Sequence, residues 1–538
     1  MAHAAGVAAA AAMLALGLAV GCSSGATPPA APQESSPSVS ASPSVPPPAA
    51  PAAISLVPAP SQLVRGSGAG YPLTGATVLR AEGGPEAATV AGQLAALLHT
   101  STGLTLPVEQ SGNGGVVLRL DSAADTGEEG YRLSSAADGV TITAASAAGL
   151  FHGVQTLRQL LPVSGTGTVP SLTITDRPRY AYRGGMLDVA RHFFPVAAVE
   201  QYVDLLAQYK FNHLHLHLTD DQGWRIAIAG WPKLTSVGGS TQVGGGAGGF
   251  YTADDYRAIT AYAAARHITV VPEVDLPGHT TAALASYPEL GCPGDRPAQL
   301  FTGIDVGFSR VCPTSERTRA FVDQVIGRLA ELTPGPYLDI GGDEAGAVDA
   351  ASYARFMSQA SATVRAHGKQ PMSWDDGAAA GRQGPAVLEV WQPLAQLPPQ
   401  LRTNLEEAAR GGTKLVMSPA DHAYLDQKYD ESTRLGLHWA GYLSVEKAYS
   451  WDPDTYLAGL PGAAVTGVEA PVWTETLATP QDLQSMLLPR LPALAEVAWS
   501  PQAARSWEDF RPRLAAQAPR WDAQQLAYTK VPEIDWPR

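Results

Sequence analysis

The sequence places two carboxylates side by side at Asp343 and Glu344, directly after Gly341 and Gly342. Neighbouring side chains in a regular strand point to opposite faces, so both carboxylates can serve one pocket only where a strand has ended. The two glycines permit the turn that this requires. Two close carboxyl groups push their pKa values apart, so that one can act as an acid while the other stays ionised. The pair therefore indicates acid–base chemistry, although such a four-residue run on its own is more often a solvated turn.

Further charged and aromatic residues recur along the same part of the chain. They are Asp188, Arg191, Asp220, Asp221, Glu273, Asp275, His279, Trp374, Trp391, Tyr424, Asp426, Trp439, Trp473 and Glu475. Indole rings cover the apolar faces of a pyranose while charged groups hydrogen-bond to its hydroxyls, so this combination is typical of a carbohydrate site. The alternating His213, His215 and His217 favour a buried strand over a metal site. We therefore expect no metal ion.

Short apolar strands that alternate with helical patterns must position these residues. Helices are predicted at 196–209, 253–266, 315–332 and 350–367. Strands are predicted at 185–189, 213–218, 268–274, 337–341, 370–374, 387–391, 414–418 and 466–473. Eight strands with helical crossovers predict an α/β fold, a (β/α)8 TIM barrel over residues 179–538. In such barrels the chemistry lies at the carboxyl ends of the strands, where the charged and aromatic residues fall.

Residues 54–178 predict a small α+β domain before the barrel. Apolar spacing indicates helices at 87–98 and 148–161, and short strands are predicted at 116–120, 130–133 and 140–144. This region has no cluster of candidate catalytic residues, so we expect a structural or docking role.

The first 53 residues differ in composition from the rest of the chain. Residues 7–20 form an apolar run, and small residues precede Cys22 as in the lipobox of bacterial lipoproteins. We expect residues 1–22 to be a signal peptide and Cys22 to be lipidated, with an ordinary secretory signal as the alternative. Residues 23–53, rich in proline, alanine and serine, predict a disordered tether. The chain would then be extracellular and anchored to the outer face of the cell membrane.

Composition excludes several other classes of protein. Of the 538 residues 45% are apolar, which is enough to bury a large core. The net charge of −14 argues against a nucleic-acid binder, which needs a basic surface. No internal stretch is long and apolar enough to span a bilayer, so the expected contact with a membrane is the N-terminal lipid.

Five ordered motifs resemble those of glycoside hydrolase family 20, the β-N-acetylhexosaminidases, particularly the secreted actinobacterial type. They are DVARHFF (188–194), HLTDDQGWR (217–225), PEVDLPGH (272–279), IGGDE (340–344) and EAPVWTE (469–475). The resemblance covers about residues 54–538, including a small domain before the barrel. It implies an exo-acting enzyme that removes terminal GlcNAc or GalNAc from oligosaccharides or glycoconjugates by substrate-assisted retention. That chemistry needs no metal and no organic cofactor.

The resemblance also implies roles for individual residues. Glu344 is the implied general acid and base, and Asp343 orients the substrate's acetamido group and stabilises the intermediate. Asp221 and His279 are implied as a hydrogen-bonded relay toward Glu344. The implied contacts to the sugar come from Tyr424 at the acetamido oxygen, from Trp374, Trp391 and Trp473 around the acetamido group, from Arg191, Asp426 and Glu475 at the outer hydroxyls, and from Trp439 over the ring or its neighbour.

Asp339 departs from the family pattern, which usually has histidine at this position. By strand parity Asp339 lies on the same face as Gly341, so we expect it to point toward the barrel interior. A further carboxylate there raises the pKa of its neighbours unless it is protonated or paired. Two interpretations follow: a tolerated substitution, which we favour, or a functional change, seen as an altered pH optimum or as reduced activity.

The odd number of cysteines divides into one and two. Cys22 lies at the expected processing boundary, while Cys292 and Cys312 flank the long loop after the third barrel strand. Export would place these two in an oxidising compartment, so we expect a disulfide between them.

An alternative function is a tethered carbohydrate-binding lipoprotein without turnover. Another is a family relative that releases disaccharides or acts on sulfated sugars, since the residues do not indicate linkage, sugar preference or oligomeric state.

Overall fold

The computed structural model describes residues 54–110 and 112–537 of the chain. The expected signal peptide, tether and lipidated Cys22 therefore lie outside the described residues. Within the described part, no helix has both the length and the apolar character needed to cross a membrane.

The small N-terminal domain is a seven-stranded mixed sheet packed against two helices. The elements of this domain are β1 (Gln62–Arg65), β2 (Tyr71–Pro72), β3 (Leu79–Glu82), α1 (Pro85–Thr102), β4 (Val108–Glu109), β5 (Gly115–Leu120), β6 (Tyr131–Ala136), β7 (Gly139–Ala144), α2 (Ala147–Leu160), β8 (Thr168–Val169) and β9 (Leu172–Asp176). The strands of the sheet lie in the order β1-β9-β6-β7-β5-β3-β4, while β2 and β8 pair with each other. The helices α1 and α2 pack against each other and against the strands of the sheet. Both predicted helices and all three predicted strands are confirmed.

Eight parallel strands close into the predicted barrel. They are β10 (Tyr182–Asp188), β11 (His213–His217), β14 (Thr269–Glu273), β15 (Tyr337–Asp339), β16 (Gln370–Trp374), β17 (Val387–Val390), β18 (Lys414–Met417) and β19 (Val465–Val472), with a short hairpin of β12 (Thr219–Asp220) and β13 (Gly223–Trp224) after β11. The barrel closes where β10 pairs with β19 from Tyr182 onward. That pairing is why β10 begins three residues before the predicted strand.

The four predicted barrel helices are confirmed as α3 (Val196–Gln208), α5 (Ala253–Ala264), α7 (Glu316–Leu332) and α8 (Ala350–Ala366). Side-chain caps begin three of them, since Thr252, Ser315 and Asp349 accept hydrogen bonds from backbone N–H groups of the first turn. The other helices are α4 (Lys233–Ser236), α6 (Thr281–Ser286), α9 (Pro399–Arg410), α10 (Ala420–Ala423), α11 (Val445–Tyr449), α12 (Pro453–Tyr456), α13 (Pro480–Leu487), α14 (Arg490–Trp499), α15 (Trp507–Ala515) and α16 (Ala518–Ala523).

A network of buried charges joins the small domain to the amino ends of β10 and β11. The Lys210 Nζ donates to Asp176 Oδ2 at 3.1 Å and to the Tyr131 hydroxyl at 3.0 Å. Both terminal nitrogens of Arg183 bond to Glu129, at 2.8 and 2.7 Å. We call this group the docking network: Glu129, Tyr131, Asp176, Arg183 and Lys210.

The interior of the barrel is polar, as the histidines of β11 indicate. His215 is fully buried, and its ring nitrogens face Glu469 Oε1 at 2.7 Å and Glu273 Oε2 at 3.1 Å. Asp339 points into the same interior, as predicted, and accepts the Gly341 N–H at 2.7 Å. Burial, reinforced by the negative charge of Glu273, raises the pKa of Asp339 to about 8.

Candidate active site

The two adjacent carboxylates leave the barrel on a sharp turn directly after β15. The strand ends at Asp339, and Gly341 and Gly342 adopt φ angles of 64° and 104°. A Cβ atom on Gly341 would lie 1.9 Å from Asp275 Oδ1, so this position requires glycine. The turn that the two glycines predict is therefore present, and it brings Asp343 and Glu344 to the same end of the barrel.

His279 and Glu344 face each other at the centre of this end. The Nε2 atom of His279 lies 3.4 Å from Glu344 Oε2 and 3.7 Å from Asp343 Oδ2. Both His279 and Glu344 have positive φ angles, 53° and 49°. Residues other than glycine seldom adopt this conformation, and such strain is concentrated at functional sites.

Asp220 holds His279 from the opposite side of the ring. The Nδ1 atom of His279 donates to Asp220 Oδ1 at 3.1 Å. The other oxygen of Asp220 accepts from His217 Nε2 at 2.8 Å and pairs with Arg191 Nη2 at 2.7 Å. Burial alone would lower the pKa of His279, but Asp220, Asp275 and Asp343 raise it well above its usual value. His279 is therefore an imidazolium that links Asp220 to Glu344.

The expected relay through Asp221 is corrected by this geometry. Asp221 Oδ1 accepts from the backbone N–H and the hydroxyl of Thr281, at 2.8 and 2.6 Å, and from the Ser309 hydroxyl at 2.5 Å. The chain turns between β12 and β13, so Asp220 faces His279 while its neighbour faces the segment that Cys292 and Cys312 close. Asp220, and not Asp221, is therefore the carboxylate that contacts His279, and Asp221 anchors that segment.

Asp343 and Glu344 differ in their surroundings. Asp343 is 8% exposed, and its Oδ1 atom has no hydrogen-bond partner among the described residues. Burial and the charge of Glu344 raise the pKa of Asp343, and the His279 cation opposes this. The Glu344 side chain is 33% exposed and can reach a bound ligand. The arrangement suits one buried group that orients a ligand and one accessible group that exchanges a proton.

The predicted tryptophans and Tyr424 form a continuous aromatic wall beside the carboxylates. Trp473 lies 5.6 Å from Trp374 and 6.1 Å from Tyr424 between ring centroids. Trp439 continues the wall 6.0 Å from Tyr424 and 5.9 Å from Trp391. Trp374 and Tyr424 are buried, whereas Trp439 is 43% exposed and marks the rim. The wall therefore runs from a closed inner pocket to solvent.

Arg191 and two further carboxylates complete the group of predicted residues. The Arg191 guanidinium lies 4.7 Å from the Trp473 ring centroid, and its Nε and Nη1 atoms make no hydrogen bond within the described structure. Burial raises the pKa of Glu475 to about 7, with Arg191 opposing and Asp426 adding to the shift. Asp426 accepts the Trp473 N–H at 3.3 Å. Arg191 therefore provides donors without hydrogen-bond partners beside the aromatic wall, and Asp426 and Glu475 add carboxylate oxygens there.

Sequence reasoning assigned no role to three carboxylates that shape this site. Besides Asp220, they are Asp376, which accepts the Trp391 indole N–H at 3.3 Å, and Glu273, which accepts the Trp374 indole N–H at 2.8 Å. Asp376 follows the end of β16, so the expectation that functional residues lie at the carboxyl ends of the barrel strands could have identified it. The contact of Glu273 crosses the barrel, and nothing in the residue spacing indicates it.

Several histidines and carboxylates lie close enough together to suggest a metal site. Within the described residues, four such groups bring one ligand atom per residue within 4.8 Å, among them His215 with Glu389 and Glu469, and His279 with Asp343 and Glu344. Both ring nitrogens of His215 and of His217 face carboxylates at 3.1 Å or less. A histidine that donates on both sides has no free lone pair for a metal, so the groups that contain His215 and His217 are ion pairs.

Cys292 and Cys312 form the expected disulfide. The segment between them carries Ser309, which donates to Asp221, and Gly303, whose carbonyl accepts from Gln222 Nε2 at 3.0 Å. The segment that the disulfide closes therefore lies directly beside the end of the barrel that carries Asp343 and Glu344, which we call the catalytic end.

Comparisons with known proteins agree with this geometry. The family model described as glycosyl hydrolase family 20, catalytic domain, matches residues 180–350 and 345–502, and that for domain 2 of the same family matches residues 53–177. A β-N-acetylhexosaminidase of Cellulomonas fimi is 43% identical over 489 residues, which cover 90% of this chain and 97% of that protein.

Solved structures show the same similarity. The family 20 β-N-acetylhexosaminidase from Streptomyces coelicolor A3(2) has a TM-score of 0.87 and 49% identity, covering 90% of this chain and 99% of that one. The N-acetyl-β-hexosaminidase of Streptomyces plicatus, solved in complex with Thio-NAglucal, has a TM-score of 0.87 and 50% identity, covering 90% and 98%.

Proposed function

This chain belongs to glycosyl hydrolase family 20, and on that premise we propose which of its side chains perform each step of the family reaction. The chain is a β-N-acetylhexosaminidase that hydrolyses terminal, non-reducing N-acetylhexosamine with retention of configuration. The nucleophile of the reaction is the acetamido oxygen of the substrate itself, as is general in this family. The observation that carries the assignment of roles is the buried Asp343 beside the accessible Glu344, both facing His279.

Glu344 performs the proton transfers. In the first step the acetamido oxygen attacks the anomeric carbon while Glu344 donates its proton to the departing glycosidic oxygen. The bond to the leaving group breaks, and an oxazolinium ring forms. In the second step the Glu344 carboxylate takes a proton from water, which attacks the same carbon and reopens the ring. The partly exposed position of Glu344 gives it access to both the leaving group and water.

Asp343 aligns the nucleophile and stabilises the charge that develops on it. Its unpaired Oδ1 atom accepts the acetamido N–H, which turns the acetamido oxygen toward the anomeric carbon. Positive charge develops on the acetamido nitrogen as the ring forms, and an ionised Asp343 stabilises it at close range. The imidazolium of His279, 3.7 Å away, favours this ionised form.

The aromatic wall and the charged side chains beside it bind the sugar. Trp374, Trp391 and Trp473 enclose the acetamido group, and the Tyr424 hydroxyl donates to its oxygen. Trp439 covers the pyranose ring at the rim. The outer hydroxyls of the sugar bond to Arg191, Asp426 and Glu475.

His279 and Asp220 form the relay that acts on Glu344. Asp220 holds the imidazolium of His279 in place, with hydrogen bonds on both of its oxygens. The cation lies 3.4 Å from Glu344 and stabilises the carboxylate that Glu344 becomes after it has protonated the leaving group.

Release of a chromogenic aglycone from an aryl β-GlcNAc tests the assignment. We expect turnover by the wild type and almost none by the matched variant Glu344→Gln, which keeps the size and shape of the side chain. No turnover by the wild type above this variant, with binding of GlcNAc retained, would instead identify a carbohydrate-binding protein.

We also propose that the chain is exported and held at the outer face of the cell membrane by a lipid on Cys22. The support is the apolar run followed by small residues and Cys22, together with the disulfide between Cys292 and Cys312, a bond typical of exported proteins. Mass spectrometry of the mature N-terminus tests this. A diacylated Cys22 in the wild type and a soluble form of Cys22→Ala are expected, whereas an unmodified cysteine would refute the anchor.

A further inference from the structure

Glu273, at the carboxyl end of β14, is a fully buried carboxylate whose two oxygens face different halves of the site. Its Oε1 atom accepts the Trp374 indole N–H at 2.8 Å, and its Oε2 atom accepts from His217 Nδ1 at 2.5 Å. We propose that Glu273 is a positioning residue that couples the acetamido pocket to the relay that acts on Glu344. The proposal rests on the proposed function and names a residue that touches neither the substrate nor the acid.

On the pocket side, Glu273 fixes the rotation of the Trp374 ring. The indole N–H is the one polar group of a tryptophan side chain, and here Glu273 accepts its hydrogen bond. Trp374 is 1% exposed and lies 5.6 Å from Trp473. Loss of this hydrogen bond in a dry pocket would leave the indole free to tilt, and the wall of the acetamido pocket would lose its shape.

On the relay side, Glu273 keeps His217 positively charged. His217 donates from Nδ1 to Glu273 and from Nε2 to Asp220. The other groups around His217 are the Asp275 carboxylate and the edge of the Trp473 ring, 4.8 Å away. Two cations share its acceptors: His215 also contacts Glu273 Oε2, at 3.1 Å, and Arg191 also contacts Asp220 Oδ2, at 2.7 Å. Burial would lower the pKa of His217, but Glu273 and Asp220 raise it to about 9.

These contacts form an unbroken sequence of side chains from the pocket wall to the acid. It runs from Trp374 through Glu273, His217, Asp220 and His279 to Glu344. The five successive distances are 2.8, 2.5, 2.8, 3.1 and 3.4 Å. A carboxylate is needed at the second position because Trp374 and His217 donate to separate oxygens of Glu273, whereas a glutamine offers one acceptor oxygen. His215 Nε2 also faces the oxygen that accepts from His217, at 3.1 Å.

The variant Glu273→Gln must therefore break one of the two contacts and remove the charge. Its kinetics on an aryl β-GlcNAc should be measured across pH, with the inhibition constant of GlcNAc as a report on the pocket. We expect kcat/KM to fall about tenfold to a hundredfold and binding of GlcNAc to weaken. Because the pKa of His217 falls without Glu273, the alkaline limb of the pH profile of kcat should move to lower pH by about one pH unit.

Glu389→Gln is the matched control. Glu389 is equally buried in the barrel interior, and its ion-pair contact is with His215 at 3.7 Å. It lies beside Trp374 in the register of β16 and β17, but no hydrogen bond joins it to Trp374 or to His217 in the described structure. We expect its kinetics and pH profile to stay within about twofold of wild type. Equal effects of the two substitutions would mean that any lost interior carboxylate disturbs the enzyme, and the proposal would be overturned.

A second variant keeps the test decisive if Glu273→Gln does not fold. Trp374→Phe removes the indole N–H and leaves an aromatic ring in the wall. Glu273 loses a donor, becomes more basic and holds the proton on His217 more tightly, so the alkaline limb should move to higher pH by about half a unit. A residue that only shapes the pocket would change KM and leave the pH profile in place, and that result would overturn the coupling.

Titration of His217 by NMR separates this proposal from the proposed function, because it requires no turnover. A pKa for His217 that is the same in wild type and in a folded Glu273→Gln variant overturns the coupling. A wild type that lacks turnover overturns the proposed function, while a lowered His217 pKa in the variant would still support the link between Glu273 and the relay.

Discussion

The docking network and the catalytic end are two buried, charged regions at opposite ends of the same barrel strands. In the docking network, Arg183 makes paired hydrogen bonds to Glu129, and Lys210 bonds to both Asp176 and Tyr131. Each of these five side chains has its buried polar atoms paired with neighbours in the described structure.

The catalytic end is equally buried but incompletely paired. The Nε and Nη1 atoms of Arg191, the Oδ1 atom of Asp343 and the Nε2 atom of His279 all lack a hydrogen-bond partner in the part of the chain that the structure describes. Buried polar atoms without partners are costly, so they are retained where a ligand supplies the missing partner. The docking network should therefore serve stability, and the catalytic end should serve activity. Substitutions in each region can test this division.

Glu344→Gln should have the largest effect on activity. Removing the general acid and base lowers kcat by about a thousandfold, within the usual range for such groups. Because the side chain is partly exposed and the amide has the same shape, the melting temperature should stay within about 2 °C of wild type. Steady-state kinetics and calorimetry measure the two quantities, and a large loss of stability would contradict the division.

Asp343→Asn should rank second. An amide still fits beside the acetamido group but cannot stabilise positive charge, so kcat should fall about a hundredfold. Since burial raises the pKa of Asp343, the neutral amide should leave stability unchanged or increase it. Pre-steady-state kinetics of leaving-group release should place the loss in the first chemical step. Lower stability with unchanged kcat would refute the role.

The residues of the catalytic end were easier to predict from the sequence than their contacts. Barrel strands are short apolar runs followed by charged residues, so Asp343 and Glu344 could be placed at a strand end. Residue spacing does not specify how the β12–β13 hairpin turns, and the choice of Asp221 over Asp220 for the relay was wrong for that reason. Strands β1 and β9 of the small domain were missed because β1 is largely exposed and β9 alternates over only five residues.

Lys210→Met tests the docking network. The substitution removes the cation and leaves Asp176 buried beside Tyr131, which should lower the free energy of unfolding by about 3 kcal/mol. The kcat of the folded enzyme should stay within about twofold, because the network lies at the amino ends of the strands. Lys530→Met, at an exposed lysine, is the control and should change stability by less than about 0.5 kcal/mol. Loss of kcat without loss of stability would contradict the division.

Asp339→Asn should give the smallest effect and a distinctive dependence on pH. Folded Asp339 keeps its proton up to about pH 8, whereas the unfolded chain loses it near its ordinary value of 3.8. The stability that this proton contributes is present at low pH and is lost as the pH rises through 8. The amide has no such dependence, so its stability relative to wild type should increase by about 2–3 kcal/mol between pH 5 and pH 7.

Denaturant unfolding at both pH values measures this difference for Asp339. If the difference in the free energy of unfolding between Asp339→Asn and wild type does not change with pH, Asp339 is paired in a way that its interior position does not indicate. The pH–rate profile of Asp339→His, which restores the usual family residue, decides between the two interpretations of this position. Asp339 accepts the Gly341 N–H and lies beside Glu273 in the register of β14 and β15. In the described structure it makes no hydrogen bond to the sequence of side chains that ends at Glu344, and its proton keeps it uncharged up to about pH 8. We therefore expect the profile to match that of wild type, and a shifted profile would place Asp339 with the catalytic end despite its buried position.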